Sequence, residues 1–332
     1  MHAAVGTGDI VIDTMSGRVE GAAPHERLAL FGLRVSTYLL RPFHLFGASY
    51  VARLMRRLLP SRKSISYRLA DDSVMRTGWC DNYWSFLCLP RFNYEASIRT
   101  LIDGSRDVDY GFIDAGANFG YWSVLASSRW GGSRPVVAIE AAADTFRRLE
   151  ENCRLNGGRF TVLNRAIGPV SGEKVRIYGV KHEQRTTVAP SADAKPILDC
   201  ITITLDDVAA MPEFAGVDGF MVKLDVEGVE VPAFAGAPRL LDGNSVFVYE
   251  EHGSDRGHVT THHVLNSLGM RVFWLGEGRG EEIRDPRRLD AIKTSRRYGY
   301  DMIASRSPFW LSRLEKMTGA SGVQPGALRD AA

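Results

Sequence analysis

The 332-residue chain lacks several things, and each lack removes a class of protein. Its four cysteines, Cys80, Cys88, Cys153 and Cys200, form no CxxC pair and show no zinc-ligand spacing, and no metal site is read from the sequence. A disulfide framework is therefore excluded as the organising device, and the simplest inference is a reducing compartment with small, buried thiols. No apolar run reaches the roughly 18 residues of a membrane span. The N-terminus also lacks the charged, apolar and small-residue succession of a secretory signal. A cytoplasmic protein is expected. Neither sign of charge is in excess, with 41 Lys plus Arg against 39 Asp plus Glu, which speaks against a nucleic-acid partner.

Acid is also missing locally. Between Arg27 and Ala70 there is no Asp or Glu, while Arg34, Arg41, Arg53, Arg56, Arg57, Arg62, Lys63 and Arg68 punctuate apolar clusters. Val51, Leu54, Met55, Leu58 and Leu59 fall on one helical face and the arginines on the other. Two readings fit: a helix lying on an anionic membrane surface as a peripheral contact, or a helix docked on the main domain or a second subunit. Residues 1–26, rich in Gly and Ala without sustained periodicity, read as a mobile tail. Residues 27–93 read as a basic, partly helical extension, 94–306 as the main domain and 307–332 as a C-terminal tail.

From about Tyr94 onward, strand-like and helix-like patterns alternate. The strand-like runs end at Asp114, Glu140, Asn164, Asp225 and Glu250, and Asn156-Gly157-Gly158 reads as a helix C-cap. Two further strand-like segments, Lys174–Val180 and Cys200–Leu205, bracket a polar stretch that reads as a hairpin-like insertion. Interleaved strands and helices imply an α/β fold with a mostly parallel sheet covered on both faces.

The stretch GFIDAGANFGYW, Gly111 to Trp122, places little side chain directly after an apolar run. It reads either as a tight strand-to-helix turn or as a loop whose backbone lies against a cofactor. The loop is not the GxGxxG dinucleotide fingerprint, and no GxxxxGK[ST] phosphate loop is present. Asp114 is unwelcome beside a pyrophosphate but suits a cofactor that carries positive charge, such as S-adenosylmethionine. Glu140, an acid ending the next strand, can accept hydrogen bonds from both hydroxyls of a ribose.

FIDAGANFGYWS, VVAIE, LNRAIG, TLDDVA and MVKLDVEGVEVPAFAGAPRLL together resemble the successive motifs of the FkbM family of S-adenosylmethionine-dependent methyltransferases, over roughly Tyr94 to Ser305. The resemblance implies a Rossmann-like class I methyltransferase sheet with an antiparallel last strand. It also implies methyl transfer to a hydroxyl, often on a sugar, glycan or natural-product acceptor. By position, Asp114, Gly116, Asn118 and Gly120 would form the methionine-side loop, Glu140 would hold the ribose, and Arg165 and Ala166 would border the adenine. Ala141-Ala142-Ala143 departs from the proline common in the family after that acid.

Asp225 and Glu227, in KLDVEGVE, stand where methyl group and acceptor should meet, although Asp225 could instead cap the helix that Pro232 helps to start. Lys223, inside an apolar strand, could pair with a neighbouring acid and orient it. His252 reads as a general base or as a surface histidine. His262 and His263, adjacent on a helix, point apart and make a poor metal pair. Methylation of a nitrogen or a carboxylate, and a non-catalytic membrane-associated adapter of the same fold, are the alternatives.

Overall fold

The runs around Ile113, Val137, Val222 and Phe247 are apolar at nearly every position, as expected of strands covered on both faces. In the computed structural model they are the middle strands of an eight-stranded sheet. Residues 8–319 are described, apart from 71, 180–185, 188–194 and 277.

The N-terminal part contains β1 (Ile10–Asp13), β2 (Val19–Glu20), α1 (Pro24–Leu40), α2 (Ala48–Leu58), β3 (Ile65–Ala70) and β4 (Ser73–Thr77). Next come α3 (Ala96–Asp103), β5 (Gly111–Ala115), α4 (Tyr121–Ala126), β6 (Val136–Ile139), α5 (Ala143–Leu155) and β7 (Thr161–Leu163). A three-stranded side sheet of β8 (Ala166–Ile167), β9 (Lys174–Ile177) and β10 (Leu198–Ile203) follows, in which β9 and β10 are antiparallel, as the hairpin reading expects. The chain then forms α6 (Leu205–Ala209), β11 (Gly219–Leu224), α7 (Glu230–Ala235), α8 (Pro238–Asp242), β12 (Asn244–His252) and α9 (Val259–Asn266). It closes with β13 (Arg271–Gly276), β14 (Arg279–Ile283), α10 (Leu289–Ile292), β15 (Gly299–Ser305) and α11 (Pro308–Gly319).

The large sheet has the order β14-β13-β15-β12-β11-β5-β6-β7. Neighbours from β12 to β7 are parallel, and β15 runs antiparallel between β12 and β13. The expected inversion of the last strand is therefore present. It sets Glu250 opposite Asp301 and brings the start of β15 to the edge where the parallel strands end. The TLDDVA segment is structural: Thr204 Oγ1 accepts from Asp207 N at 3.1 Å, and Asp206 accepts from Arg239 N and Leu240 N at 2.8 and 3.0 Å, capping α8.

Two expectations are corrected. Residues 1–26 do not read through as a tail: Ile10 and Ile12 are fully buried, and β1 pairs in parallel with β3, because the short alternating run IVID supplies a buried face that a Gly- and Ala-rich context hides. Residues 1–7 lie outside the described residues. The C-terminal tail begins instead as α11, whose Trp310 and Leu314 sit one turn apart and are buried, Trp310 against Tyr110 at 6.0 Å. Residues 320–332 lie outside the described residues.

The N-terminal part is stitched to the main sheet. Asn152 of α5 and Asn156, which caps its C-terminus, accept from the backbone of the edge strand β4: Arg76 N to Asn152 at 2.7 Å and Val74 N to Asn156 at 3.0 Å. Backbone groups that an edge strand would leave open are thereby satisfied. One hydrophobic cluster runs through both parts, from Ile10 and Leu33 to Phe112 and Val248.

Candidate functional site

A cleft opens at the carboxyl ends of β5, β6 and β11, where ligands bind in open parallel sheets. Asp114, Gly116, Asn118, Glu140, Arg165, Ala166, Asp225 and Glu227 all line it. Gly120 stands just behind, at the start of α4.

Gly116 has φ +77°, and a Cβ added there would lie 1.8 Å from the carbonyl oxygen of Asp225. At Gly120, φ is +87° and the added atom would meet Leu149 Cδ1 at 2.6 Å. At these two positions the steric reading of the glycine-rich turn has a direct cause: the loop lies against the end of β11 on one side and α5 on the other. Asn118 also adopts a left-handed conformation, at φ +51°, and its Oδ1 accepts from Phe119 N at 2.8 Å and from Trp84 Nε1 at 3.3 Å.

Glu140 is buried, and its two carboxylate oxygens accept from Asn118 N at 3.0 Å and Ala142 N at 2.9 Å. It therefore ties the glycine loop to the start of α5. The Ala141-Ala142-Ala143 turn, which lacks the family proline, is held by Asn164, whose side-chain amide donates to the carbonyls of Glu140 and Ala141 at 2.8 and 3.0 Å. Arg165 is exposed at the mouth and Ala166 is buried.

Lys223 is the electrostatic centre. It is buried within β11, with Nζ 3.1 Å from Asp225 Oδ2 and 3.8 Å from Asp114 Oδ1. Asp114 Oδ2 accepts from Ser123 Oγ at 2.6 Å, while Oδ1 has no hydrogen-bond partner among the described residues. Burial raises the Asp114 pKa, against the opposing pull of Lys223 and Ser123. The lysine's own pKa is raised although burial acts against it, because Asp225, Asp114 and Glu95 surround it.

Beyond this pair the acids crowd. Ligand oxygens of Asp225, Glu227 and Glu250 lie within 4.8 Å of one another. Burial, then the charges of Asp225, Glu227 and Asp301, push the Glu250 pKa well above the usual carboxyl range. Asp301 is pushed up likewise, first by burial and then by Glu95. Glu227 holds φ +53°, a conformation that costs a non-glycine residue of order 1–3 kcal/mol and that is found where geometry serves a site.

The other wall is aromatic. Tyr83, Trp84, Tyr94, Tyr121 and Trp122 line the cleft. Trp84 stacks on Tyr121 at 5.8 Å and 14°, Tyr94 meets Tyr121 edge-on at 5.0 Å, and the Tyr83 and Tyr94 hydroxyls are 2.9 Å apart. Trp122 Nε1 donates to the Glu95 carboxylate. Burial holds both tyrosines far above their usual pKa, so they remain neutral phenols.

Sequence reasoning missed Tyr83 and Trp84, which arrive from the N-terminal extension, and Tyr94 and Glu95, which directly precede α3. It named Glu250 only as one of several strand-end acids, and it did not register Asp301. His252 is not among the residues that line the cleft. Its side chain is exposed outside the cleft lining and pairs with Ser254 Oγ at 2.6 Å, at the last residue of β12, opposite Gly299. His262 and His263 lie on α9.

The strand order, the inverted β15 and a cleft at the strand ends define a class I methyltransferase fold. A family model described as Methyltransferase FkbM domain matches residues 114–283, and the chain belongs to that family. Among solved structures, it is similar to the methyltransferase FkbM from Methylobacillus flagellatus KT at 16% identity and a TM-score of 0.38. That match covers 59% of this chain and 43% of the other, so the chain spans less than half of that relative's length. A precorrin-6y C5,15-methyltransferase from Geobacter metallireducens GS-15 matches at 16% identity, with 64% and 87% coverage of this chain and that one and a TM-score of 0.35. An S-adenosylmethionine-dependent O-methyltransferase from Thermotoga maritima matches at 15%, with 64% of each chain covered and a TM-score of 0.32. No curated protein matches the chain.

Proposed function

We propose that the protein is an S-adenosylmethionine-dependent O-methyltransferase acting on a hydroxyl of a sugar, glycan or natural-product acceptor in the cytoplasm. The observation that carries this reading is Lys223, bridging Asp114 of β5 and Asp225 after β11 beside the glycine loop. The residues fit the cofactor. Asp114, with one buried oxygen lacking a hydrogen bond, supplies negative charge where an ammonium or sulfonium belongs. Glu140 stands at the strand end that serves ribose hydroxyls. Arg165 and Ala166, on the same lining, would border the adenine.

Bound there, S-adenosylmethionine supplies an activated methyl group. The protein's own task is to hold an acceptor oxygen at ~3–3.5 Å in line with it, and positioning of that kind can supply ~7–11 kcal/mol of the barrier. An alcohol also has to lose its proton. Asp225 is the group for that task, with its Oδ2 held at 3.1 Å by Lys223 so that the carboxylate is fixed in orientation. Glu227 assists by orienting the acceptor. His252 is exposed and absent from the cleft lining, and Asp225 is the base in this reading. The aromatic wall suits the apolar face of a sugar ring or a flat scaffold, with Tyr83 and Tyr94 offering neutral hydroxyls to its oxygens.

Labelled cofactor offered with a panel of hydroxylated glycans and scaffolds tests the reading. Label transfer that disappears when one acceptor hydroxyl is replaced by hydrogen supports it. Transfer to amines or carboxylates would move the chemistry to the alternative acceptors. Cofactor binding with no transfer to any acceptor would favour an adapter.

A further inference from the structure

The α1 and α2 helices pack on the core by one face each. α1 buries Ala29, Leu30 and Leu33, and α2 buries Ala52, with Val51 and Met55 partly buried beside it. The helices approach each other at Gly32, where an added Cβ would lie 3.2 Å from Met55 Sδ. Docking therefore accounts for one side of this helical pair, and the other side is apolar too. Ten of the fifteen large hydrophobic side chains exposed among the described residues lie between Leu28 and Leu58. Phe31, Tyr38 and Leu39 of α1, Phe43 and Phe46 of the connecting turn and Leu58 of α2 are each more than half exposed. Scattered exposed apolar residues are ordinary, but a concentration of this kind marks an interaction surface.

The charge on the surface selects the partner. Arg27, Arg41, Arg53, Arg56, Arg57 and Arg62 are exposed around these side chains. No carboxylate occurs from Arg27 to Ala70, and the nearest one before it, Glu26, is buried and bound to Lys63 at 2.9 Å. A second copy seated on the same face by two-fold symmetry would set arginine against arginine. An anionic lipid bilayer meets both halves of the surface, taking aromatic and aliphatic side chains at its acyl boundary and arginines at its phosphates. The surface also has a fixed relation to the cleft. Arg297 stacks over Phe46 at 4.4 Å and Tyr298 meets His44 at 5.1 Å, and these residues directly precede β15 on the side where the parallel strands end.

We propose that the exposed face of α1, α2 and their connecting turn is a docking surface for an anionic lipid bilayer, which holds the rim of the cleft at the membrane. No helix among the described residues is long and apolar enough to cross a membrane, so the contact is peripheral.

Sedimentation of the full chain with vesicles of phosphatidylcholine, with and without phosphatidylglycerol, tests the proposal. The protein should sediment only with the mixed vesicles, and the bound fraction should collapse as salt rises from about 0.05 to about 0.5 M. Arg53→Glu with Arg56→Glu and Arg57→Glu should weaken binding at least about a hundred-fold, since each basic residue near a charged membrane contributes roughly five-fold. Phe31→Ser with Phe43→Ser and Leu58→Ser should weaken it comparably, and both exposed-site variants should keep the wild-type unfolding temperature. The proposal is overturned by absence of binding to mixed vesicles at low salt, or by equal and salt-insensitive binding to neutral vesicles. A concentration-dependent dimer that the same variants disrupt would also overturn it, by assigning the face to a second copy. Should either variant unfold, the salt and lipid dependence of the wild-type chain still decides.

Discussion

The space where Gly116 would carry a side chain is occupied by the carbonyl oxygen of Asp225, 1.8 Å from an ideal Cβ. In the same place Asp225 N donates to the carbonyl of Ala115 at 3.1 Å. The glycine loop and the proposed base are thus joined through their backbones, and the position of one sets the position of the other.

Gly116→Ala should therefore cost more than its dihedral angle implies. A left-handed conformation costs an alanine ~1–2 kcal/mol, and at Gly116 a backbone clash is added. Gly157, with φ +74° and nothing within 4 Å of an added Cβ, is the control. Urea unfolding should show Gly157→Ala losing about 1–2 kcal/mol and Gly116→Ala losing several-fold more. Equal losses would mean that the loop and β11 move apart freely.

Lys223→Met removes the buried cation that stands between Asp114 and Asp225. Breaking a buried ion pair by deleting one partner typically costs about 3–5 kcal/mol, because the remaining charges stay uncompensated. Lys223→Met with Asp114→Asn should recover part of that stability. Failure of the double variant to recover any would show that the lysine acts through packing rather than charge.

The acid cluster predicts a pH dependence with a definite sign. Glu250 and Asp301 have pKa values raised in the folded state, with burial as the first cause. Below the ordinary carboxyl range, near pH 4, both are protonated whether the chain is folded or not. As pH rises, the unfolded chain releases these protons first, so folding is progressively disfavoured until the folded carboxyls ionise as well. Glu250→Gln should flatten this fall and leave the protein more stable than wild type at neutral pH, as read by urea unfolding at pH 5 and pH 7.5. An unchanged pH slope in the variant would place the charge elsewhere.

Much of this was legible in the chain. Strands β5, β6, β11 and β12 are apolar on both faces and have acids at or just after their ends, so their periodicity and the Asp114, Glu140 and Asp225 positions could be read from pattern alone. The aromatic wall could not. Tyr83, Trp84 and Tyr94 reach the cleft through contacts between segments distant in sequence, and local pattern carries no record of such contacts. Asp301 became a site acid only through the antiparallel register of β15 against β12. Pattern alone could not place His252: its strand is continuous with Glu250, and its exposure outside the cleft lining is visible only in the fold. The cause of Gly116 was hidden for the same reason: the atom it avoids belongs to a residue more than a hundred positions away.

Glu140 carries a structural and a binding duty, and its variants should separate them. Glu140→Ala should weaken S-adenosylmethionine binding in calorimetry by ~1.5–3 kcal/mol per charge-assisted hydrogen bond lost. It should also lower stability, since Asn118 N and Ala142 N lose their acceptor. Glu140→Gln, which keeps an acceptor oxygen, should retain more stability than affinity. Unchanged affinity in a folded Glu140→Ala protein would remove the ribose role.

The most direct test is the chemistry of Asp225→Asn, measured once an acceptor is in hand. The amide keeps the size of the side chain and an oxygen for Lys223 but is a far weaker base. Cofactor affinity should stay close to wild type, while kcat should fall by about two to four decades, the size of a lost general base. Wild-type kcat in the variant, or loss of cofactor binding with no separate loss of turnover, would contradict the assignment of Asp225 as the group that takes the acceptor's proton.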